Sequence, residues 1–324
     1  EVHPGQDFSL TALEGTVYDK FYDPQGILVD PTVDKKRLAA RISSQTGHHT
    51  FFVLVEQEEM KWWQPVNVNI KQEMMPAVLP FTHVKADLCE PIDITSAFNA
   101  SVTDIYRNEY LSPRSPYTTL QLPKQGIGEW CHPTLTADID DSGMRALVRD
   151  GLLSTNLGVS FRTPEKGNNI AFTSLWDNYP DSLSIPLTGR ASRAYLLMAG
   201  STNHMQCHIV NGVVRVHYAD GTAETLELVN PENWCPIEQD FYVDGMAFRL
   251  QSPRPYRLHL KSGLVSNNLE KDLNITGVYG RPIDGGAGIL LDMPLNPDKD
   301  LKRITLETVS NDVVIGLMGI TLQK

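Results

Sequence analysis

Segments in which apolar and polar residues alternate dominate the chain and predict β-strands. Val66–Ile70 alternates strictly, and Thr50–Glu56 is a short run of apolar and β-branched residues. Gly212–Ala219 and Thr222–Val229 alternate on either side of Asp220-Gly221. Because Asp and Gly tolerate the positive φ that a type I′ turn requires, this arrangement predicts a β-hairpin.

The end of the chain continues this pattern, with turn dipeptides such as Asn230-Pro231 and Asn296-Pro297 between the apolar runs. We expect further strands at Tyr256–Leu260, Gly288–Asp292, Ile304–Glu307 and Val313–Leu322. Helical patterns are confined to Asp34–Ile42 and Ser142–Asp150, neither of which has an apolar stripe longer than about two turns. The sequence therefore predicts a mainly β protein.

The spacing of strands and turns changes near residue 150, which suggests a domain boundary. Tyr110–Gly128 is rich in Pro, Ser and Thr, and we expect an irregular crossing segment there. Beyond residue 150 the spacing is regular and typical of a β-sandwich. We predict two packed β-sandwich modules: a mainly β region over residues 1–149 and a second sandwich over residues 150–324.

Composition and charge exclude several classes of partner. The 324 residues are 41% hydrophobic and 21% charged, as in an ordinary globular protein. Asp and Glu outnumber Lys and Arg by 39 to 28, and no basic cluster exists to neutralise phosphates, so we expect no nucleic acid partner. The longest nearly apolar runs, Ala194–Gly200 and Val313–Ile320, are too short to span a bilayer, so we expect no membrane insertion.

The densest polar and aromatic cluster is Gly126–Asp141, in which Trp130 and His132 lie beside several acids. Glycoside hydrolysis requires a protonated and an ionised carboxyl group, and aromatic rings stack on sugar faces. If the chain is an enzyme, the candidate catalytic acids are Glu129, Asp138, Asp140 and, in a later loop, Glu238. The alternative is that Trp130 packs in the core and that the acids form a solvated loop.

A second candidate sugar site lies in Ser174–Asp181, where the alternation stops and we expect a loop. An exposed Trp and Tyr beside Asp and Asn suit a sugar, because rings cover C–H faces while polar groups bind hydroxyls. The candidate ligand-binding residues are Trp130, His132, Trp176, Asp177, Asn178 and Tyr179. The alternative is that Trp176 anchors the loop in the core. Elsewhere, Trp62 and Trp63 on a strand would point to opposite faces, one of them buried.

Metal sites and cofactors have little support. Asp138, Asp140 and Ser142 resemble the start of a calcium loop, but Arg149 occupies the closing position that needs a bidentate Glu, which leaves only a looser calcium site open. His204 and His208 lead into a strand and lack the Glu of a zinc protease, so we predict no metal there. The four cysteines form no C-x-x-C pair, and both bridges and free thiols remain open.

Four later motifs resemble a known family. Gly158–Phe161, Ser184–Gly200, Tyr218–Thr222 and Gly285–Asp292 resemble, in that order, the strands and hairpin of galactose-binding-like jelly-roll modules attached to secreted bacterial glycoside hydrolases. The resemblance covers residues 150–324 and implies an antiparallel jelly roll. The wider sequence looks like a region of multidomain polysaccharide-degrading enzymes that accompanies a six-hairpin catalytic domain. The long helical segment of such a domain is absent, so no catalytic acids carry over.

These observations favour a secreted or periplasmic accessory module that binds a glycan or oligosaccharide during polysaccharide breakdown, with a catalytic glycosidase domain as a candidate partner. Beginning at Glu1 with neither Met nor signal peptide, the chain also fits a processed secreted product or a piece of a larger protein. One alternative is a glycoside hydrolase whose two carboxyl groups lie about 5–5.5 Å or about 6.5–9.5 Å apart. The other is a structural module that packs on a catalytic domain through a broad apolar patch.

Overall fold

The computed structural model describes residues 2–45, 47–70, 80–108, 138–202, 206–240, 243, 249–250, 252–277 and 281–324. The chain divides into two units, Glu1–Val78 and Leu79–Lys324. The division therefore falls well before residue 150, where the sequence predicted a boundary. The reason is that residues 89–106 contribute a strand and several core side chains to the second unit.

Two three-stranded antiparallel sheets form the first unit, in the orders β1-β4-β3 and β2-β5-β6. Their strands are β1 (Asp7–Thr11), β2 (Val17–Tyr22), β3 (Leu28–Val33), β4 (Arg37–Ile42), β5 (Gly47–Gln57) and β6 (Met60–Ile70). Leu38 and Ile42 of one sheet share an apolar cluster with Phe51 and Val53 of the other. Because each sheet buries one face in this cluster, the first unit is a small β-sandwich.

The helix predicted at Asp34–Ile42 is wrong, because this segment forms a turn followed by β4. The Asp34 carboxylate accepts hydrogen bonds from the backbone amides of Lys36 and Arg37, at 2.7 and 2.9 Å, and closes the turn. Lys, Arg and Ala have good intrinsic helix propensity, but pairing with two neighbouring strands outweighs this preference.

The second unit contains the remaining elements. Its strands are β7 (Cys89–Ile92), β8 (Leu152–Ser154), β9 (Ser160–Arg162), β10 (Ala171–Ser174), β11 (Ser182–Pro186), β12 (Arg193–Thr202), β13 (Val210–Tyr218), β14 (Ala223–Val229), β15 (Tyr256–His259), β16 (Val265–Ser266), β17 (Ala287–Pro294), β18 (Leu301–Thr308) and β19 (Val313–Gln323). Its helices are α1 (Ser142–Ala146) and α2 (Leu269–Asp272), with 3-10 turns at Ala86–Leu88, Thr95–Ala97 and Val102–Asp104. Every helix described is short, and the prediction of a mainly β protein is confirmed.

Two antiparallel sheets dominate this unit. The larger has the order β10-β19-β12-β17-β15-β16, with β7 also paired to β19, and the smaller has the order β11-β18-β13-β14. The predicted hairpin at Asp220-Gly221 is confirmed as the turn between β13 and β14. The predicted strands near the end of the chain are also present, as β15, β17, β18 and β19. That the strands of these two sheets are connected in the order of a jelly roll stays a prediction.

The central strands of the larger sheet are buried on both faces. In β12, the even-numbered side chains from Ala194 to Met198 join an apolar cluster shared with the smaller sheet. The odd-numbered side chains from Tyr195 to Ala199 join a second cluster, formed with Phe161 and Phe172, on the opposite face. Apolar residues are therefore required at consecutive positions, which explains why this strand reads as an uninterrupted apolar run.

We predict that Gly319→Ala destabilises the second unit, because Gly319 lies under an aromatic ring at the centre of the larger sheet. An added Cβ would lie 2.9 Å from Phe161 Cβ and 3.0 Å from its ring. Overpacking of this kind costs about 1–3 kcal/mol in the free energy of unfolding, which denaturant titration would measure. The exposed variant Thr225→Ala on β14 is the control, with a change within about 0.5 kcal/mol. Equal stability of Gly319→Ala and wild type would contradict this packing.

Candidate functional site

The site residues predicted from the sequence lie in different environments. Glu129, Trp130 and His132 fall outside the described residues. Trp176 and Tyr179 are buried, with 3% and 6% of their surfaces exposed, whereas Asp177 is exposed and Asn178 is half-buried. The expectation of exposed rings in this loop is therefore wrong for Trp176 and Tyr179.

Both rings are buried because they cover the outer face of the larger sheet. Tyr179 packs against Phe172 of β10, with ring centroids 5.1 Å apart, and Trp176 belongs to the same apolar cluster. The Tyr179 hydroxyl also accepts a hydrogen bond from the side-chain amide of Asn108, and burial raises the pKa of Tyr179 to about 12. As the alternative interpretation of Trp176 proposed, the ring anchors its loop in the core.

The acidic residues around α1 bind separate partners within the protein. Asp138 is exposed and forms an ion pair with Arg107 at 2.6 Å. Asp140 accepts hydrogen bonds from Ser142, which lower the pKa of its carboxyl group. Among the described residues, no group of three or more His, Cys, Asp or Glu side chains is arranged to hold a metal ion.

Of the predicted catalytic acids that the structure describes, Glu238 has the most strongly shifted pKa. Its side chain is buried, with 3% of the residue exposed, and it accepts a hydrogen bond from the Tyr106 hydroxyl. This hydroxyl also lies 3.1 Å from Ser201 Oγ. Desolvation raises the pKa of Glu238 to about 7, although the Tyr106 hydrogen bond and the charge of Arg257 act in the opposite direction. Glu238 is therefore buried, whereas Asp138 is in solvent.

Three thiols in the described part of the chain, Cys89, Cys207 and Cys235, are free, while Cys131 lies outside it. Cys235 is buried, and desolvation raises the pKa of its thiol to about 12. His204, one of the two histidines considered as metal ligands, is also outside the described residues. His217 lies on β13 and contacts Thr305 Oγ1 at 3.1 Å, in the manner of an ordinary sheet residue.

An exposed aromatic surface lies instead on the first unit, on the outward side of the sheet β2-β5-β6. Phe51, Val53 and Val55 of β5 are buried, so the alternate residues Phe52 and Leu54 face outward. Residues that pair directly across neighbouring strands share a face. The pairs of Phe52 with Tyr22 and Pro65, and of Leu54 with Lys20 and Trp63, therefore place these side chains on this surface. We call it the aromatic face: Lys20, Tyr22, Phe52, Leu54, Trp63 and Pro65.

The rings of the aromatic face are accessible and held in place. Tyr22 and Trp63 are 58% and 45% exposed. Tyr22 stacks on Phe52 with ring centroids 6.3 Å apart and an angle of 27° between the planes. Lys20 places its ammonium group 5.9 Å from the centre of the Trp63 ring, within the range of a cation–π interaction. Tyr22 and Trp63 are on the two outer strands, so their backbones are about 10 Å apart or more.

Polar residues lie at both ends of the aromatic face, along the direction of its strands. At one end, Thr50 Oγ1 donates a hydrogen bond to Asn67 Oδ1 at 2.7 Å across β5 and β6. At the other end, Lys61 forms an ion pair with Glu56 at 2.9 Å, and the hydrogen bond to Glu56 raises the pKa of Lys61. The surface is therefore a strip of rings with hydrogen-bonding groups at both ends.

Part of the aromatic face was predicted from the sequence. Trp62 and Trp63 were expected to point to opposite faces, and their pairing partners Val55 and Leu54 confirm this. The expectation that one indole is buried is wrong, because both are exposed, Trp62 by 38%. The contribution of Tyr22 was missed because β2 was not recognised as a strand. That of Phe52 was missed because Phe51–Val55 is apolar at every position, so the sequence of this run does not distinguish its outward side chains from its buried ones.

Comparisons with known proteins leave the chain without an assigned family. No protein-family model matches it, and no curated protein matches it. A solved structure described as "SusE-like protein BT2857" is similar at 11% identity with a TM-score of 0.18, over 100% of this chain and 92% of that one. Similarity at this level supports no inference about function. No helix in the described ranges is long and apolar enough to cross a membrane.

We predict that Glu238 makes the protein less stable as the pH rises from about 4.5 to about 7. The folded state holds the proton up to about pH 7, whereas the unfolded chain releases it near the ordinary value of 4.5. The folded state therefore binds more protons in this window, and the free energy of unfolding falls by on the order of 3 kcal/mol across it.

Denaturant titrations at pH 4.5, 6 and 8 would measure this effect. Glu238→Gln keeps the hydrogen bond to Tyr106 without a titratable group, so the Glu238 contribution to the pH dependence should vanish. Glu227→Gln, on an exposed position of β14, is the matched control and should titrate like the wild type. Identical pH profiles for Glu238→Gln and the wild type would show that Glu238 is not a buried acid.

Proposed function

We propose that this protein is a glycan-binding accessory module of polysaccharide breakdown and that it binds sugar chains through the aromatic face of its first unit. The observation that carries the proposal is the exposure of Tyr22 and Trp63 on one sheet face. Flat rings bury the apolar C–H faces of pyranose sugars, which offsets much of the cost of ordering a flexible glycan.

The dimensions of the face favour a chain of several sugars over a monosaccharide. Tyr22 and Trp63 lie on strands separated by β5, so their backbones are about 10 Å apart or more, farther than the width of one pyranose ring. A glycan lying across β5 would place different sugars on the two rings. The polar groups of Asn67 and Lys61 at the two ends are then available to the hydroxyl groups of the same chain.

The proposal moves the sugar site from the loop Ser174–Asp181 to the first unit, since Trp176 and Tyr179 are buried. It includes a secreted or periplasmic location, where polysaccharides are accessible. A catalytic glycosidase domain is the expected functional partner of such an accessory module.

We predict that Trp63→Ala lowers glycan affinity at least about tenfold, because it removes the larger exposed ring of the face. The measurement is isothermal titration calorimetry against the best ligand from a screen of soluble polysaccharides by affinity electrophoresis. Tyr22→Ala should lower the affinity for the same ligand by a smaller factor. Since Trp63 is exposed, the stability of the variant should remain close to that of the wild type.

Trp62→Ala is the matched control, because the neighbouring indole lies on the other side of β6 and its removal should leave affinity unchanged. Loss of binding in both variants would point to general damage to the strand and contradict the assignment. Failure of the wild type to bind any polysaccharide in the screen would overturn the proposed function. The aromatic face would then favour the structural alternative, in which it packs on a catalytic domain.

A further inference from the structure

The opposite side of the first unit carries an open groove. It lies on the outward face of the sheet β1-β4-β3 and has a volume of about 480 Å³, within the size range of small-ligand sites. We call it the charged groove and define it by Asp7, Ser9, Asp30, Thr32, Arg37 and Arg41, with Ala39 at the centre of its floor. Because the two sheets of this unit bury their inward faces against each other, the charged groove and the aromatic face are on opposite sides.

The strand register explains why a groove forms there. Ala39 of β4 pairs with Ser9 on one side and with Thr32 on the other, so three small side chains form the floor. Arg37 and Arg41 precede and follow this row on β4, two residues away in each direction. Their backbones are therefore about 14 Å apart along the strand, with the two long side chains at opposite ends of the floor.

The two ends differ in charge. Arg41 is neutralised by Asp30, at 3.3 Å, and pairs across the strands with Asp7, so this end is acidic on balance. Arg37 forms no ion pair with any of the described residues and follows two lysines. Asp34, the acid of this turn, accepts hydrogen bonds from two backbone amides and keeps its negative charge. Because this single charge is outnumbered by those of Lys35, Lys36 and Arg37, the Arg37 end is positive on balance.

We propose that the charged groove binds a carboxylated oligosaccharide, with a uronic acid carboxylate on Arg37 and sugar hydroxyl groups on Ser9, Thr32 and Asp7. The guanidinium group matches a carboxylate in a bidentate geometry, and this arginine is available to do so. Hydroxyl and carboxylate side chains along the floor bind the polyhydroxylated part of the ligand. This inference rests on the proposed function, since it takes the ligand to be a glycan, and it adds a second site with a preference for acidic sugars.

The test compares trigalacturonate with its carboxyl-reduced counterpart, α-1,4-galactotriose, by isothermal titration calorimetry on the whole chain. The wild type should bind trigalacturonate at least about tenfold more tightly, because the charged hydrogen bonds to Arg37 are lost with the neutral sugar. This preference should weaken at high salt. Arg37→Gln should abolish the preference without changing the affinity for galactotriose.

Arg41→Gln is the matched control, because it removes the same charge from the end already neutralised by Asp30 and should keep most of the preference. If Arg37→Gln and Arg41→Gln lost the preference for trigalacturonate to the same extent, the preference would depend only on overall charge, and the inference would be overturned. Competition by triglutamate at equal concentration would do the same, because it would show recognition of an acidic peptide.

The outcomes separate this inference from the proposed function. If Trp63→Ala abolishes binding of neutral polysaccharides while Arg37→Gln leaves trigalacturonate binding unchanged, the charged groove is not a site and the aromatic face is. If Arg37→Gln removes the acidic preference while Trp63→Ala changes no affinity, the groove is the site and the aromatic face is not. If neither neutral nor acidic glycans bind, both proposals are overturned.

Discussion

The pairing of β12 with β19 is the constraint on which the second unit depends. The two strands are hydrogen-bonded from Arg193 to Thr202, at the centre of a sheet whose two faces are both covered. Nearly every side chain on them must therefore be apolar, and glycine is needed wherever a large ring approaches. Gly200 makes room for Trp234, as Gly316 does for Phe172. A polar side chain introduced into this pair would be buried on whichever face it pointed to.

The sequence predicted those elements whose local signals agree with their tertiary environment. The hairpin at Asp220-Gly221 was recognised because turn chemistry and alternation indicate the same structure, and the mainly β class followed from many such segments. The strand at Arg37–Ile42 was misread, because its composition favours a helix and only its pairing with β1 and β3 makes it a strand. Pairing between distant segments is not encoded in local composition.

The same limit explains the outcome for the candidate site. Trp176 and Trp63 look alike in the sequence, since each is an aromatic residue beside polar ones. One packs under a loop in the core of the second unit, whereas the other lies on the open face of a thin sandwich. Two three-stranded sheets enclose little volume, so large side chains at alternate positions have no second layer to cover them. For this reason the smaller unit presents both surfaces proposed to bind ligands, while most aromatic side chains described in the larger unit serve packing.

Pro65 gives the aromatic face a further property. In the sheet order β2-β5-β6, the strand that carries both indoles is at the edge, where its backbone is open to pairing with another molecule. Proline has no amide hydrogen and is tolerated within sheets at such edges. Its position two residues after Trp63 interrupts the row of donors that a second chain would need for aggregation. The strand can therefore expose large apolar rings to solvent and still resist self-association.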